Sequence, residues 1–214
     1  MAPLHGNPTH IAVIVADMAK IVLLRHGETE WSKSGQHTGR TNVPLTRNGR
    51  KGAVAIAPLL EHRNFGLVLT SPMDRAIETA QLAGLTPDGT DDDLLEWDYG
   101  AWEGRTTRDI RVELKDPKWV IWDHPIPPGN TPGESTDEVA ERARRVIDRC
   151  VPFLASGRDC CLVAHGHLLR ILSATWLGLP SADGKLFLMD PAAVSLLGFE
   201  HEQRVLAGWN ITAD

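Results

Sequence analysis

The run Ile21-Val22-Leu23-Leu24 constrains this chain more than any other stretch, because every residue is apolar and the run then stops abruptly. A strand with one wet face alternates apolar with polar residues. A short run without alternation is covered on both faces, as in the sheet of an α/β protein. Arg25, His26, Gly27 and Glu28 follow at once: a cation, an imidazole, a glycine and a carboxylate. In an α/β sheet the carboxyl ends of the strands are where ligands bind. Two readings of this turn stand side by side. Arg25 and His26 are solvated surface groups, or His26 is a nucleophile held next to an anion.

The same punctuation recurs along the chain. Residues 67–70 (LVLT) read as a second short strand. Ser71-Pro72 then offers an N-cap and a proline at the first helical position, so a helix is expected to about Ala83 with Arg75 in its first turn. Asp159–Ala164 reads as another buried strand, which delivers His165-Gly166-His167 into a helix that stops at Gly178. Ser135 and Glu138 form a capping box for the best-marked helix, with Val139, Ala143, Val146, Ile147, Cys150 and Leu154 at helical spacing and Pro152 ending or bending its last turn. Thr46 caps a helix to about Leu60 that Pro58 interrupts, and Thr106 or Thr107 caps a short one. Residues 91–96 are a candidate third strand, and residues 194–199 and 205–209 are closing strands near a sheet edge. Residues 32–46 read as a long loop, and residues 116–133 as an irregular Pro-, Gly- and Trp-rich insertion that covers something. The alternation of strands and helices predicts one α/β domain over residues 20–214, a three-layer α/β/α sandwich around a mostly parallel sheet. Residues 1–19 are expected to be an N-terminal extension, with Met18 an alternative start.

Bulk properties narrow the function. With 42% hydrophobic and 23% charged residues a packed core is expected. A net charge of −6 argues against nucleic-acid binding, which needs a basic face, but leaves room for a small anionic substrate. No apolar run approaches the ~18 residues of a membrane span. The three cysteines, Cys150, Cys160 and Cys161, lie in apolar settings and read as buried inert thiols, which suits a reducing compartment and a cytoplasmic location. The run Asp91–Asp93 reads as a solvated turn, with a metal site as the minor alternative.

If the three strands before Arg25-His26, Ser71 and His165 are parallel neighbours, their polar ends meet at one sheet edge. Two arginines, two or three histidines and helix N-termini then converge. Helix N-termini offer free N–H groups, and Arg forks match phosphate oxygens. The sum is an anion site, with phosphate as the obvious anion.

Four motifs now stand in order: RHGET at residues 25–29, SPMDRA-x-x-TA at 71–80, EWDYG-x-WEG at 96–104, and AHGH at 164–167. Together they resemble the histidine phosphatase superfamily, the family of cofactor-dependent phosphoglycerate mutases and related phosphatases. The resemblance runs from about Lys20 to Trp209 and implies the phosphoglycerate mutase-like fold. It implies that His26 is the nucleophile and is phosphorylated on a ring nitrogen. It further implies that Arg25, Arg75 and His165 hold the phosphoryl oxygens and that Glu96 donates the proton to the leaving oxygen. Ser32, Thr38 and Gly39 fall where the family's loop meets the phosphate, and Gly166 would offer a backbone N–H. No metal and no cofactor is implied.

Within the family, a mutase must hold a second anion until the phosphoryl group returns. Classical members do so with cations from an insertion before the final histidine. Here residues 106–137 are short and offer Arg108, Arg111, Lys115 and Lys118 among prolines and tryptophans. A phosphatase is therefore expected. The loop at residues 31–46 with DDDLLEWDYG and AHGHLLR is similar to the sugar-bisphosphate phosphatase and acid-phosphatase-like branches, which implies that Tyr99 contacts the sugar or a distal phosphate. A mutase, and a catalytically silent phospho-ligand module, are the alternatives. The expected partner is a small phosphorylated metabolite, a homodimer is compatible with the sequence, and neither nucleic acid nor membrane is expected. His167 is expected to line the pocket or cap its helix, and Arg170 to form a structural salt bridge. His5, His10, His37, His62, His124 and His201 are expected to be surface or packing residues, although His37 lies in the substrate-side loop.

Overall fold

A computed structural model describes residues 19–213. The expected extension, Met18, His5 and His10 lie outside the described residues, apart from Ala19, which is buried.

Six strands form one sheet in the order β3-β2-β4-β1-β5-β6. They are β1 (Ile21–Arg25), β2 (Phe65–Thr70), β3 (Gly89–Thr90), β4 (Asp159–Ala164), β5 (Val194–Glu200) and β6 (Gln203–Ile211). β3, β2, β4 and β1 run parallel, while β5 is antiparallel to both β1 and β6. The sheet is flanked on both faces by helices α2 (Arg47–Ala55), α3 (Asp74–Leu82), α5 (Thr136–Ala155) and α6 (Gly166–Trp176). Two shorter helices, α1 (Glu30–Ser34) and α4 (Thr107–Leu114), sit in the connections.

The unbroken apolar runs do what such runs must. In β1, Ile21 and Leu23 join one core while Val22 and Leu24 join the other. In β4, Cys160 and Leu162 face the first core and Cys161 and Val163 the second. Because β1 and β4 pair in register from Ile21–Cys160 to Arg25–Ala164, both end at the same level. β2 pairs with the other side of β4, Thr70 opposite Val163. Three polar strand ends therefore meet at one edge, as the sequence pattern predicted. All three cysteines are free and buried, and burial pushes the Cys161 thiol up. No helix among the described residues is long and apolar enough to cross a membrane.

Four expectations are corrected. The Ser71-Pro72 pair does not start a helix: α3 begins at Asp74 after Met73, with no side-chain cap. The Ser71 hydroxyl is instead bonded to His165. Residues 91–96 are not a strand; Asp91 caps a short 3-10 turn, Asp92–Leu94, and the strand is the two residues before it. The loop after β1 is not structureless, because Thr29 and Ser32 form a capping box that nucleates α1. α2 ends at Ala55, and Pro58 lies in a separate 3-10 turn, Ala57–Leu59. Asp91 and Asp93 face Arg149 and Arg145, so the acidic run is an ion-pair cluster. Among the described residues no three His, Cys, Asp or Glu side chains converge as metal ligands would.

Candidate active site

A cavity of about 260 Å³ opens at the carboxyl ends of β1 and β4. Arg25 and His26 line it from β1, and Gly166, His167 and Arg170 from α6. Glu96 and Tyr99 come from the segment after β3, and Ser32, Gln36, His37 and Thr38 from the loop after β1.

His26 is 4% exposed. Its main-chain N–H donates to the Ala164 carbonyl, which fixes the turn against β4. Its Nδ1 lies 2.8 Å from the Gly27 carbonyl oxygen. A carbonyl can only accept, so Nδ1 carries the proton and Nε2 keeps its lone pair. Burial, then the charges of Arg75 and Arg25, hold this imidazole well below 6.5, in the neutral nucleophilic form. The turn leaves no room for a side chain at position 27, where a Cβ would meet the Gly49 carbonyl oxygen at 2.4 Å.

Arg25 donates from Nη1 to the Met189 carbonyl, while its buried Nε has no hydrogen-bond partner among the described residues. Gly166 lets this guanidinium approach, since a Cβ there would lie 3.2 Å from Cζ. α6 starts at Gly166, so its first N–H groups lack helical partners. Those of His167 and Leu168 donate to the Glu96 carboxylate at 3.1 and 2.8 Å. Glu96 Oε1 accepts from both Leu168 and Trp97, whereas Oε2 accepts only from His167 and is the oxygen with room for a proton.

Arg75 and His165 are close behind this wall rather than on it, and both are 0% exposed. Arg75 Nε donates to His165 Nδ1 at 3.2 Å, which places the His165 proton on Nε2, 2.7 Å from the Ser71 hydroxyl. The rest of the Arg75 fork holds the carbonyls of Thr38, Gly39 and Thr41. The His26 and His165 rings meet edge to face at 5.1 Å between centroids. Of the loop residues singled out by sequence, Thr38 lines the cavity with its hydroxyl bonded to the Gln36 carbonyl. Ser32 lines it too, with its hydroxyl engaged in the cap of α1. Gly39 is not on the wall; its N–H donates to Glu103 and its carbonyl accepts from Arg75.

Arg170 departs from its expected part. Arg170 forms no salt bridge among the described residues; it lies on the cavity wall, stacked 4.6 Å over the Trp122 ring. Of the two parts expected for His37, surface or packing, it takes the second: it is 8% exposed, packs 4.9 Å from Tyr99, and its Nε2 is buried with no hydrogen-bond partner among the described residues. Tyr99 meets His167 Nδ1 at 2.7 Å through its hydroxyl. Burial drives the His167 imidazole well below 6.5 and the Tyr99 phenol well above 10, so both are neutral.

Burial also lowers His37 to about 4. The unfolded chain takes up that proton near 6.5. Between pH 6.5 and about 4 the unfolded state therefore binds more protons, and stability falls as the pH falls. The whole contribution is present above pH 6.5 and amounts to about 3 kcal/mol at most. Urea unfolding at pH 7 and pH 5 is expected to show this loss, and His37→Gln to reduce it. A pH dependence identical in the two proteins would sink the assignment.

The chain is 41% identical to an acid phosphatase of Mycobacterium tuberculosis, over 90% of this chain and 93% of that protein. It is 37% identical to sedoheptulose 1,7-bisphosphatase of Saccharomyces cerevisiae, over 75% of this chain and 68% of that protein. A solved structure of an open reading frame product from Mycobacterium tuberculosis superposes with a TM-score of 0.85 at 40% identity, covering 92% of this chain and 99% of that one. The profile of the histidine phosphatase superfamily, branch 1, matches residues 21–212. By sequence and by fold, this chain belongs to that superfamily and is a phosphomonoester hydrolase.

Proposed function

We propose that this chain hydrolyses small phosphorylated metabolites, sugar bisphosphates among them, through a phosphohistidine on His26. The observation that carries the reading is the His26 tautomer, with Nδ1–H tied to Gly27 and the Nε2 lone pair bare at the end of β1. In the first step that lone pair attacks phosphorus and the ester P–O bond breaks. The leaving oxygen takes the proton from Glu96. Water then attacks phosphorus and the P–N bond breaks. Glu96 takes the water proton, inorganic phosphate departs and His26 returns to its neutral form.

Fixed positive charge stabilises the transferring group. Arg25 supplies it from the wall, with the Gly166 N–H at the start of α6. Arg75 adds charge from behind, and one of its five N–H donors is uncommitted. Of the cations in residues 106–137, none reaches the cavity, where only Thr107 of that segment contributes. That favours release of phosphate to water over return to a retained substrate. Sugar substrates are the reading favoured by the sedoheptulose 1,7-bisphosphatase relative, together with the neutral hydrogen-bonding wall of His37, Tyr99 and His167.

p-Nitrophenyl phosphate is expected to be hydrolysed at full rate in excess EDTA, because the charge needed is built from arginines. Loss of activity in EDTA, restored by a divalent ion, would overturn this account. Supplying 3-phosphoglycerate with a bisphosphoglycerate primer tests the mutase reading; efficient formation of 2-phosphoglycerate would establish it instead.

A further inference from the structure

We infer that Asn210, on the last strand and off the cavity wall, is a positioning residue for the reaction: its side chain holds the turn at residues 189–193, and that turn sets where Arg25 and His26 stand. This role deepens the phosphohistidine reading above and rests on it.

The turn grips both residues. The Met189 carbonyl accepts from Arg25 Nη1, and the Ala193 carbonyl accepts from the Arg25 main-chain N–H at 3.1 Å. The Ala192 N–H donates to the His26 carbonyl at 3.1 Å. The main chain of His26 is thus fixed from two sides, by Ala164 of β4 and by Ala192. To make its bond, Ala192 adopts φ 58°, in the left-handed region that a residue with a Cβ seldom enters. Such a conformation persists only where its surroundings over-determine it.

The surroundings of Ala192 do so. On one side α2 packs close, since a Cβ at Gly52 would lie 3.3 Å from the Ala192 methyl. On the other side β6 holds the residues before and after Met189. The Trp209 indole N–H donates to the Leu188 carbonyl. Asn210 takes Asp190 twice: Oδ1 accepts from the Asp190 main-chain N–H at 2.6 Å, and Nδ2 donates to the Asp190 carboxylate at 2.8 Å. Leu188 and Asp190 are therefore tied to β6, while Met189 between them serves Arg25.

Asparagine suits this position for two reasons. Asn210 is itself left-handed, φ 55°, where the pairing of β5 with β6 slips, and its N–H donates to the buried Ser195 hydroxyl. Asparagine tolerates that backbone better than most residues with a side chain, and its amide both donates and accepts, as Asp190 requires.

Asn210→Gly keeps the backbone conformation and removes the amide. Assayed well below the melting temperature of the variant, kcat/KM for p-nitrophenyl phosphate is expected to fall about 10- to 100-fold, the loss that a displacement of about 1 Å brings. Orthovanadate adopts the five-coordinate shape of the phosphoryl group in transfer, and its inhibition should weaken by a similar factor. Inhibition by inorganic phosphate should weaken no more than about threefold. A merely structural Asn210 would lower the melting temperature and leave both inhibition constants of the folded protein unchanged, which would overturn the proposal. So would an equal loss for vanadate and phosphate. Two variants of Asp190 serve if the glycine variant does not fold. Asp190→Asn keeps an acceptor for Asn210 Nδ2 without the charge and should retain the preference for vanadate, whereas Asp190→Ala should lose part of it. Equal losses in the two would trace the effect to the Asp190 charge and overturn the role of Asn210. Hydrolysis of p-nitrophenyl phosphate by the unaltered enzyme reports separately on the phosphatase reading, so the two ideas fail independently.

Discussion

His26→Ala is expected to reduce kcat/KM for every phosphomonoester by at least about 10⁴-fold, the largest single effect in this protein. The imidazole is the covalent carrier, so alanine removes the reaction path rather than one contribution to it. The surrounding arginines would still bind phosphate but would have nothing to transfer it to. The substitution should not unfold the chain. The His26 ring is a buried polar group whose one bond from the ring goes to the adjacent Gly27 carbonyl, so its loss frees no distant partner. Two measurements check the claim. The unaltered enzyme, quenched in alkali during turnover of a phosphorus-labelled substrate, should carry label on His26, and His26→Ala should carry none. Full activity in the alanine variant, or label on another residue, would sink the mechanism.

Much of this site was legible because it lies at the ends of strands. A buried strand has a recognisable composition, and its last residue marks where the sheet stops. The runs before Arg25 and His165 therefore marked both residues as strand ends, which meet at one edge if the strands are parallel neighbours. The strand pairing then brought them together, with Arg25 opposite Ala164. The capping box at Ser135 was equally readable, since the bonding pattern needs only residues three apart, whereas the cap of α4 was left between Thr106 and Thr107 and proves to be Thr106.

The misreadings share a physical cause. Ser71 carries the composition of an N-cap, yet its hydroxyl is bonded to His165, 94 positions away. A local rule cannot register that competitor. Residues 92–94 have leucine and acids in a strand-like setting, but Arg145 and Arg149 of α5 draw the acids into a turn. For His37 the surface and packing readings stayed open, because its burial depends on Tyr99 and on a loop held by Arg75. Arg170 was different. Its place four residues after Gly166 is a helical repeat and could have put it on the site face. What decided against a salt bridge was the chain at 184–185, whose carbonyls claim the guanidinium.

Glu96→Gln should separate the two halves of the reaction. General acid catalysis is worth about 10²- to 10⁴-fold. That loss is expected in kcat for a sugar phosphate, whose alkoxide cannot leave without a proton. For p-nitrophenyl phosphate the leaving phenolate departs unprotonated, so the first step should lose far less. The second step still needs Glu96 as base toward water. Phosphohistidine should therefore accumulate with the aryl substrate and appear as a burst of nitrophenol followed by slow turnover. The substitution is conservative in shape, although a glutamine oxygen can replace only one of the two carboxylate oxygens that accept from Trp97, His167 and Leu168. Thermal melting distinguishes a lost proton from a disturbed helix start. An equal fall on both substrates, with no burst and a lowered melting temperature, would remove Glu96 from the proton chemistry and leave it as the anchor of α6.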